Sequence, residues 1–363
     1  MESSNLFAPL ELGRHTLSNR ITMAAMTRQR AGRSGVPTEL HAQYHAQRAS
    51  LGLIVTEGVF PSLDSRAFPG QAGITNDAQQ AGWQHVAEAV HASDGVMFMQ
   101  VMHGGRVCHP NLTEGAEPVA PSAICSSAQI HTFDGKQDAV TPRELEVAEM
   151  ERIVGDFRAA ARRAVDAGVD GIEIHSANGY LLHEFLAPSS NQRTDDFGGS
   201  VDNRLRFPLA VARAVVEEIG ADRVGVRISP EHNVQGVIED DRADVVEVYG
   251  RFVDELAELG VAYVSILHSD PTDELVADLA RRARRNGRTR VLMNNGFAQL
   301  TELPDAEAMQ RLDYVDAVSV GREIIGNPDI VRRWKEGLAL NTPEQATFYA
   351  NGAHGYTDYP FAD

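Results

Sequence analysis

The chain has 363 residues, of which 43% are hydrophobic and 23% charged, so it carries apolar material for one large core or two ordinary ones. Its formal net charge of −18 excludes a phosphate backbone or an anionic membrane surface as principal partner, because the field of the whole molecule repels both. A few Arg residues and backbone N–H groups can still gather an anionic cofactor locally.

In chain order, the N-terminus MESSNLFAPLELG lacks a basic stretch followed by an apolar core, and no apolar run reaches the length of a membrane span. Cys108 and Cys125 are the only cysteines and form no C-x-x-C pair, so a reducing, cytoplasmic setting is expected. Short β-branched runs then alternate with longer amphipathic stretches, the pattern of a parallel sheet with crossover helices. The period predicts strands over residues 20–26, 53–59, 96–102, 171–175, 224–229, 262–267, 290–295 and 317–321. Their number matches a (β/α)8 TIM barrel of the α/β class, expected here as a single domain over residues 1–363. Helical patterns follow at 38–50, 78–92, 143–167, 201–219, 243–259, 273–285 and 306–312, with N-cap chemistry in Thr38 before Glu39 and Thr141 before Pro142. The excursion 104–140, between the third strand and its helix, is rich in Pro, Ser and Gly. It contains SAQIHTFDGKQDAVT, which reads as a hairpin turning at Asp134-Gly135 and is expected to cap the barrel mouth.

Barrels of this kind build their active sites where strands end, at the C-terminal face. Thr27, Gln100 and Arg227 supply neutral and cationic donors from three strand ends, which suits a planar, electron-accepting heterocycle. Arg227 either pairs with a barrel carboxylate such as Glu173 or faces the ligand, where its charge stabilises an anionic reduced flavin. The turns NNGF and SVGRE stand at the two strands where barrels often bind phosphate, and Arg322 adds a bidentate partner. His175 and Asn178 can donate to one substrate oxygen and stabilise an enolate. Tyr180 is either a general acid or a packed aromatic with its hydroxyl bonded to the backbone.

Other chemistries fit less well. Lys136 and Lys335 are the only lysines and neither lies at a strand end, so a Schiff-base aldolase lacks its nucleophile. The first strand offers no paired histidines, and no metal is expected. His41 and His45 share a helix face without the Glu of the zinc protease motif and are expected on a solvated face.

Several segments resemble the old yellow enzyme family of FMN-dependent ene-reductases along nearly the full length of the chain. They are NRITMAAMTRQRA (19–31), YHAQRASLGLIVTEG (44–58), MQVMHGGRVCHP (99–110), GIEIHSANGYLLHEFLAPSSNQRTDDFGGSVDNRLRF (171–207), VGVRISP (224–230), VSVGREIIGNPDIV (318–331) and GYTDYP (355–360). The resemblance implies tightly but non-covalently bound FMN, with Thr27 at the flavin O4 edge and Gln100 and Arg227 at the pyrimidine side. Ala24, Ala25, Met26 and Gly58 would line the isoalloxazine, and Asn295, Gly296, Gly321 and Arg322 would hold the phosphate. His175 and Asn178 would grip the substrate carbonyl or nitro oxygen, Tyr180 would protonate the α-carbon, and Tyr356 would contact ligand over the flavin. The implied reaction is ping-pong: NADPH, in preference to NADH, reduces FMN, which then reduces the activated C=C bond of an enone, enal, maleimide or nitroalkene. A small electrophilic alkene is thus the expected partner, with no nucleic acid or membrane, on a monomer or homodimer.

Thr27 stands where another branch of the family has Cys, and Asn178 where other members have a second His. Ala25 replaces a frequent Pro, and Met102, in place of a common Trp, gives the substrate wall a softer, different shape. A specialised isomerase or tailoring enzyme, a nitrate-ester or nitroaromatic reductase, and a non-catalytic flavin-binding or ligand-sensing protein are the alternative functions.

Overall fold

A computed structural model describes residues 5–126, 128–296 and 299–363; Ser127 and Phe297, which fall in two of the stretches quoted above, lie outside them. The strands β1 (Ile21–Met23), β2 (Leu53–Val55), β3 (Met97–Val101), β4 (Gly171–Ser176), β5 (Val224–Ile228), β6 (Tyr263–Leu267), β7 (Arg290–Asn294) and β8 (Ala317–Val320) close into a parallel barrel. The helices α1 (Glu39–Ala46), α2 (Asp77–His91), α3 (Val147–Asp166), α4 (Val201–Ile219), α5 (Arg242–Leu259), α6 (Glu274–Arg284), α7 (Leu303–Gln310) and α8 (Ile330–Glu336) follow the strands in turn. This is the TIM barrel that the strand count predicts. No helix among the described residues is long and apolar enough to cross a membrane.

Alternation along each strand sorts its side chains. Ile172 and Ile174 of β4, Val224 and Val226 of β5 and Val264 and Ile266 of β6 belong to the apolar core shared with the helices. The alternate positions face inward and form tiers. In the lower tier Phe98 and Tyr263 fill the barrel, opposite Gly171 and Gly225 in register. A Cβ built on Gly171 would collide with the Phe98 ring, and one on Gly225 with the Tyr263 ring. Above them Gln100, Glu173, Arg227 and Ser265 form a polar tier, with Glu173 paired to Gln100 and Arg227 to Ser265. A two-stranded hairpin, Leu10–Leu12 with His15–Leu17, plugs the opposite end through Leu10, Leu12 and Leu17. Nothing in the sequence reading anticipates this plug.

Several boundaries differ from expectation. β1 stops at Met23, because only Ala24 continues the ladder, donating its N–H to the Val320 carbonyl at 2.9 Å. α3 starts at Val147 with Glu146 as N-cap instead of at Thr141, since Arg143–Glu144 pairs with Val119–Ala120. The cap hairpin, Gln129–Thr132 with Gly135–Asp138, turns one residue earlier than predicted: Thr132 pairs Gly135, leaving Phe133 and Asp134 as the loop. The cap rests on the barrel through a small apolar cluster in which Val107, Leu112 and Ile130 meet Met102 and Tyr180.

A C-terminal segment folds back over the residues that follow β1. Arg28 donates to the carbonyls of Phe348 at 3.1 Å and Gly355 at 2.8 Å, and Arg30 to those of Phe348 at 2.7 Å and Thr347 at 2.8 Å. Tyr356 stacks on Tyr44 with ring centres 4.1 Å apart, and the Arg30 guanidinium lies 4.6 Å from its centroid. Tyr356 meets His41 edge-on and Trp83 of α2 meets His45, and both histidines are buried, against the expected solvated face. Desolvation pushes their imidazoles down to about 3 and about 4, so both are neutral at pH 7. Nearby, Glu57 accepts the Arg28 backbone N–H at 3.3 Å, and its free oxygen lies 3.7 Å from His41 Nε2. Burial pushes the Glu57 carboxyl up to about 7, against the pull of neighbouring backbone N–H groups and of Arg28 and Arg30.

Two outcomes follow from this packing. Gly225→Ala is expected to destabilise the protein by about 1–3 kcal/mol in denaturant titration, because the Tyr263 ring has no room to retreat. Glu57 keeps its proton in the folded state at pH values where the unfolded chain has lost it, so its contribution to stability falls as pH rises from about 4.5 to about 7. Glu57→Gln should therefore gain on the wild type across that window, by at most about 3 kcal/mol, and run parallel to it above. A pH-independent difference in melting temperature would mean that Glu57 is ionised throughout.

Candidate active site

The ends of the strands and the cap enclose a cavity of about 400 Å³. Of the residues expected at the site, Ala24, Ala25, Met26, Thr27, Gly58, Gln100, Met102, His175, Asn178, Tyr180, Arg227, Gly296, Gly321 and Arg322 line it. Two do not. Asn295 turns its side chain to the Thr301 hydroxyl, 2.7 Å away, and Asn294 lines the cavity in its place. Tyr356 is fully buried in its stack on Tyr44, and the wall is made by Phe348 and Tyr349 instead. Phe68, Ile130 and Gln235, absent from the sequence reading, also line it. Only the aromatic pair in TFYANG and the glutamine before Gly236 could have hinted at Tyr349 and Gln235.

The floor is set by the polar tier. Glu173 Oε1 accepts from Gln100 Nε2 at 2.7 Å, and its Oε2 accepts from the Tyr263 hydroxyl at 3.0 Å. This commits one amide N–H of Gln100 downward. Its carbonyl oxygen stands on the Gly58 side, 3.3 Å from where a Cβ on that glycine would be, so Gln100 presents an acceptor where a donor was expected. Arg227 donates to Ser265 Oγ at 3.0 Å, and the ion pair with Glu173 weighed from the sequence is not formed. Burial weakens its hold on the proton, and the Glu173 carboxylate opposes that. The guanidinium thus faces the cavity with most of its donors free.

One wall comes from the turn after β4. Asn178 adopts φ 56° and Gly179 φ 77°, a left-handed pair that swings the chain back and brings His175, Asn178 and Tyr180 to one side. The His175 and Tyr180 rings meet edge to face, 5.0 Å apart. Burial, then the charges of Arg227 and His183, push the His175 imidazole well below its ordinary value, so it is neutral and has one N–H to donate. His175 Nδ1 and Asn178 Oδ1 are buried without a hydrogen-bond partner among the described residues, and a ligand in the cavity would satisfy them. Burial also pushes the Tyr180 hydroxyl up, so it holds its proton at neutral pH; the Gln235 side chain acts in the other direction.

At the far end, Gly321 and Arg322 follow β8. A Cβ on Gly321 would meet nothing closer than Met26 Sδ at 3.8 Å, so the glycine leaves open space on the cavity side. Arg322 is half-buried and has no ion pair among the described residues, which fits an anion brought by a ligand. Backbone, glycine and guanidinium at one end, a floor with acceptor and cation in the middle, and unsatisfied polar atoms on the wall together fit a flavin mononucleotide.

Comparison with known proteins agrees. The model of the NADH:flavin oxidoreductase / NADH oxidase family matches residues 5–341. A chanoclavine-I aldehyde reductase of Penicillium roqueforti is 39% identical, the match covering 99% of this chain and 97% of the relative. The old yellow enzyme homologue of Zymomonas mobilis superposes with a TM-score of 0.91 at 37% identity, covering 98% of this chain and 99% of its own. Morphinone reductase in complex with tetrahydroNAD does so with a TM-score of 0.91 at 39% identity, covering 99% and 98%. The chain therefore belongs to the NADH:flavin oxidoreductase / NADH oxidase family, the family of old yellow enzyme.

Proposed function

We propose that the protein is an FMN-dependent ene-reductase that takes hydride from NADPH and reduces the activated C=C bond of enones, enals, maleimides or nitroalkenes in ping-pong order. The observation that carries this reading is the cavity wall, where partnerless polar atoms of His175 and Asn178 stand beside the protonated Tyr180. The aldehyde reductase among the relatives and the nicotinamide analogue bound by morphinone reductase support a reductase with a nicotinamide hydride donor.

In this reading residues 1–363 act as one FMN-binding domain, with 104–140 as its cap. Thr27 would bond the O4 edge, the Gln100 oxygen would accept from a ring N–H, and Arg227 would supply positive charge at the pyrimidine side. The main chain of Ala24, Ala25, Met26 and Gly58 would lie along the ring, and Gly296, Gly321 and Arg322 would hold the phosphate, with Asn294 in the place first given to Asn295. FMN held there would supply hydride exchange, the nicotinamide and the alkene using the cavity in turn, so that no separate dinucleotide fingerprint is needed. Neutral His175 and Asn178 donate to the substrate oxygen and stabilise the negative charge that develops there. Tyr180 delivers a proton to the α-carbon. Met102 and Tyr349 shape the space for the substituents of the alkene.

The visible spectrum of the purified protein tests this directly. Bound-flavin absorption should bleach with NADPH in the absence of oxygen and return with 2-cyclohexenone. Protein that neither carries nor takes up FMN would remove the reading, and bleaching without recovery would favour a specialised enzyme whose substrate the Met102 wall selects. Tyr180→Phe is expected to slow the return of colour by roughly 10²- to 10⁴-fold. An unchanged rate would take Tyr180 out of the reaction.

A further inference from the structure

The loop between β5 and α5 approaches the reacting groups more closely than their own turn requires. A Cβ on Gly179 would stand 2.7 Å from the Val234 carbonyl oxygen and 2.9 Å from Gln235 Cβ, so the loop packs directly on the backbone between Asn178 and Tyr180. Gln235 Nε2 donates to the Asn178 carbonyl at 2.7 Å, and Asn178 N–H donates to Ser229 Oγ at 2.8 Å, so both sides of that left-handed residue are held from β5 and the loop after it. Gln235 itself adopts φ 56°, followed by Gly236 at φ 79°, a conformation that a non-glycine residue takes up only where its surroundings impose it. They do so here. Ser126 of the cap donates to the Gln235 carbonyl at 3.2 Å. At the base of the loop, Glu239 accepts the Glu231 backbone N–H at 2.7 Å and the Tyr249 hydroxyl at 2.9 Å and lies 3.1 Å from His183 Nε2.

We propose that Gln235 is the positioning residue for proton delivery: one N–H of its amide pins the Asn178 carbonyl while the other faces the Tyr180 hydroxyl and stabilises the phenolate left behind. This rests on the reading of Tyr180 as the acid. A primary amide has two N–H groups on one nitrogen, so a single atom can serve both duties. The interaction between the Gln235 and Tyr180 side chains favours the phenolate, in the opposite direction to burial. In the step itself the Tyr180 O–H bond breaks and its proton goes to the α-carbon, where the electron pair of the enolate becomes the new C–H bond. The phenolate keeps the O–H pair and takes a proton back from water.

The step can be examined without hydride transfer. A nitronate formed beforehand from a nitroalkane and base is mixed with wild-type protein, Tyr180→Phe and Gln235→Met, and its absorbance is followed as it is protonated. Wild type should accelerate the loss, Tyr180→Phe should not, and Gln235→Met should be slower than wild type by about 10- to 100-fold, the worth of a hydrogen bond to a charged group. Gln235→Met at the wild-type rate beside an inert Tyr180→Phe would overturn the role of Gln235. A wild type that gives no acceleration, or a Tyr180→Phe as fast as wild type, would overturn the acid role of Tyr180 and this proposal with it. Should Gln235→Met fail to fold, the Gln235 side-chain amide resonance of otherwise native protein decides: it should move in Tyr180→Phe, and an unmoved resonance would overturn the proposal.

Discussion

A carboxylate in the middle of the barrel organises what lies above it. Glu173 is buried on β4, and leaving it without partners would cost several kcal/mol. Gln100 from β3 and the Tyr263 hydroxyl from β6 satisfy it, and Arg227 from β5 balances its charge without touching it. The arrangement is possible because Gly171 and Gly225 leave room for two rings in the tier below. Remove that room and Tyr263 cannot stand upright beneath Glu173. The orientation of the Gln100 amide, and with it the kind of hydrogen bond offered to a ligand, is thus fixed one tier beneath the cavity.

The walls obey a different logic. His175 is neutral because it is buried near Arg227, and Tyr180 is protonated because it is buried under the cap. Both groups therefore keep one hydrogen each across the range in which a solvated imidazole would change its charge. The same apolar cover that excludes water from the reacting atoms sets their protonation.

Much of this was legible in the sequence because parallel barrel strands alternate strictly. Arg227 in VGVRIS and His175 in GIEIH could be placed at the mouth from their position at strand ends alone. Legibility failed where the choice lay between neighbours or depended on distant chain. Asn294 and Asn295 have the same side chain on opposite faces, and a one-residue error in the end of β7 exchanges them. Tyr349 and Tyr356 both lie in the C-terminal segment, and only the grip of Arg28 and Arg30 on nearby carbonyls decides which one reaches the cavity. His41 and His45 read as solvated on an isolated helix; Tyr356, which covers His41, comes more than three hundred positions later, and Trp83, which covers His45, belongs to the next helix. The plug hairpin lacks a signal of its own, since its leucines matter only against the barrel end. The wider assignment to a family came from resemblance and not from spacing.

The grip of Arg28 on the Phe348 carbonyl spans 320 positions of sequence. All eight strands and all eight helices named above are synthesised before that partner exists. The barrel then closes first, and the wall bearing Phe348 and Tyr349 is added to a preformed cylinder, at the entropic cost of joining its most separated parts. Enclosure of a ligand thus depends on the last part of the chain to be made, and a released chain ending shortly before residue 348 would have all eight barrel strands but lack the wall of Phe348 and Tyr349.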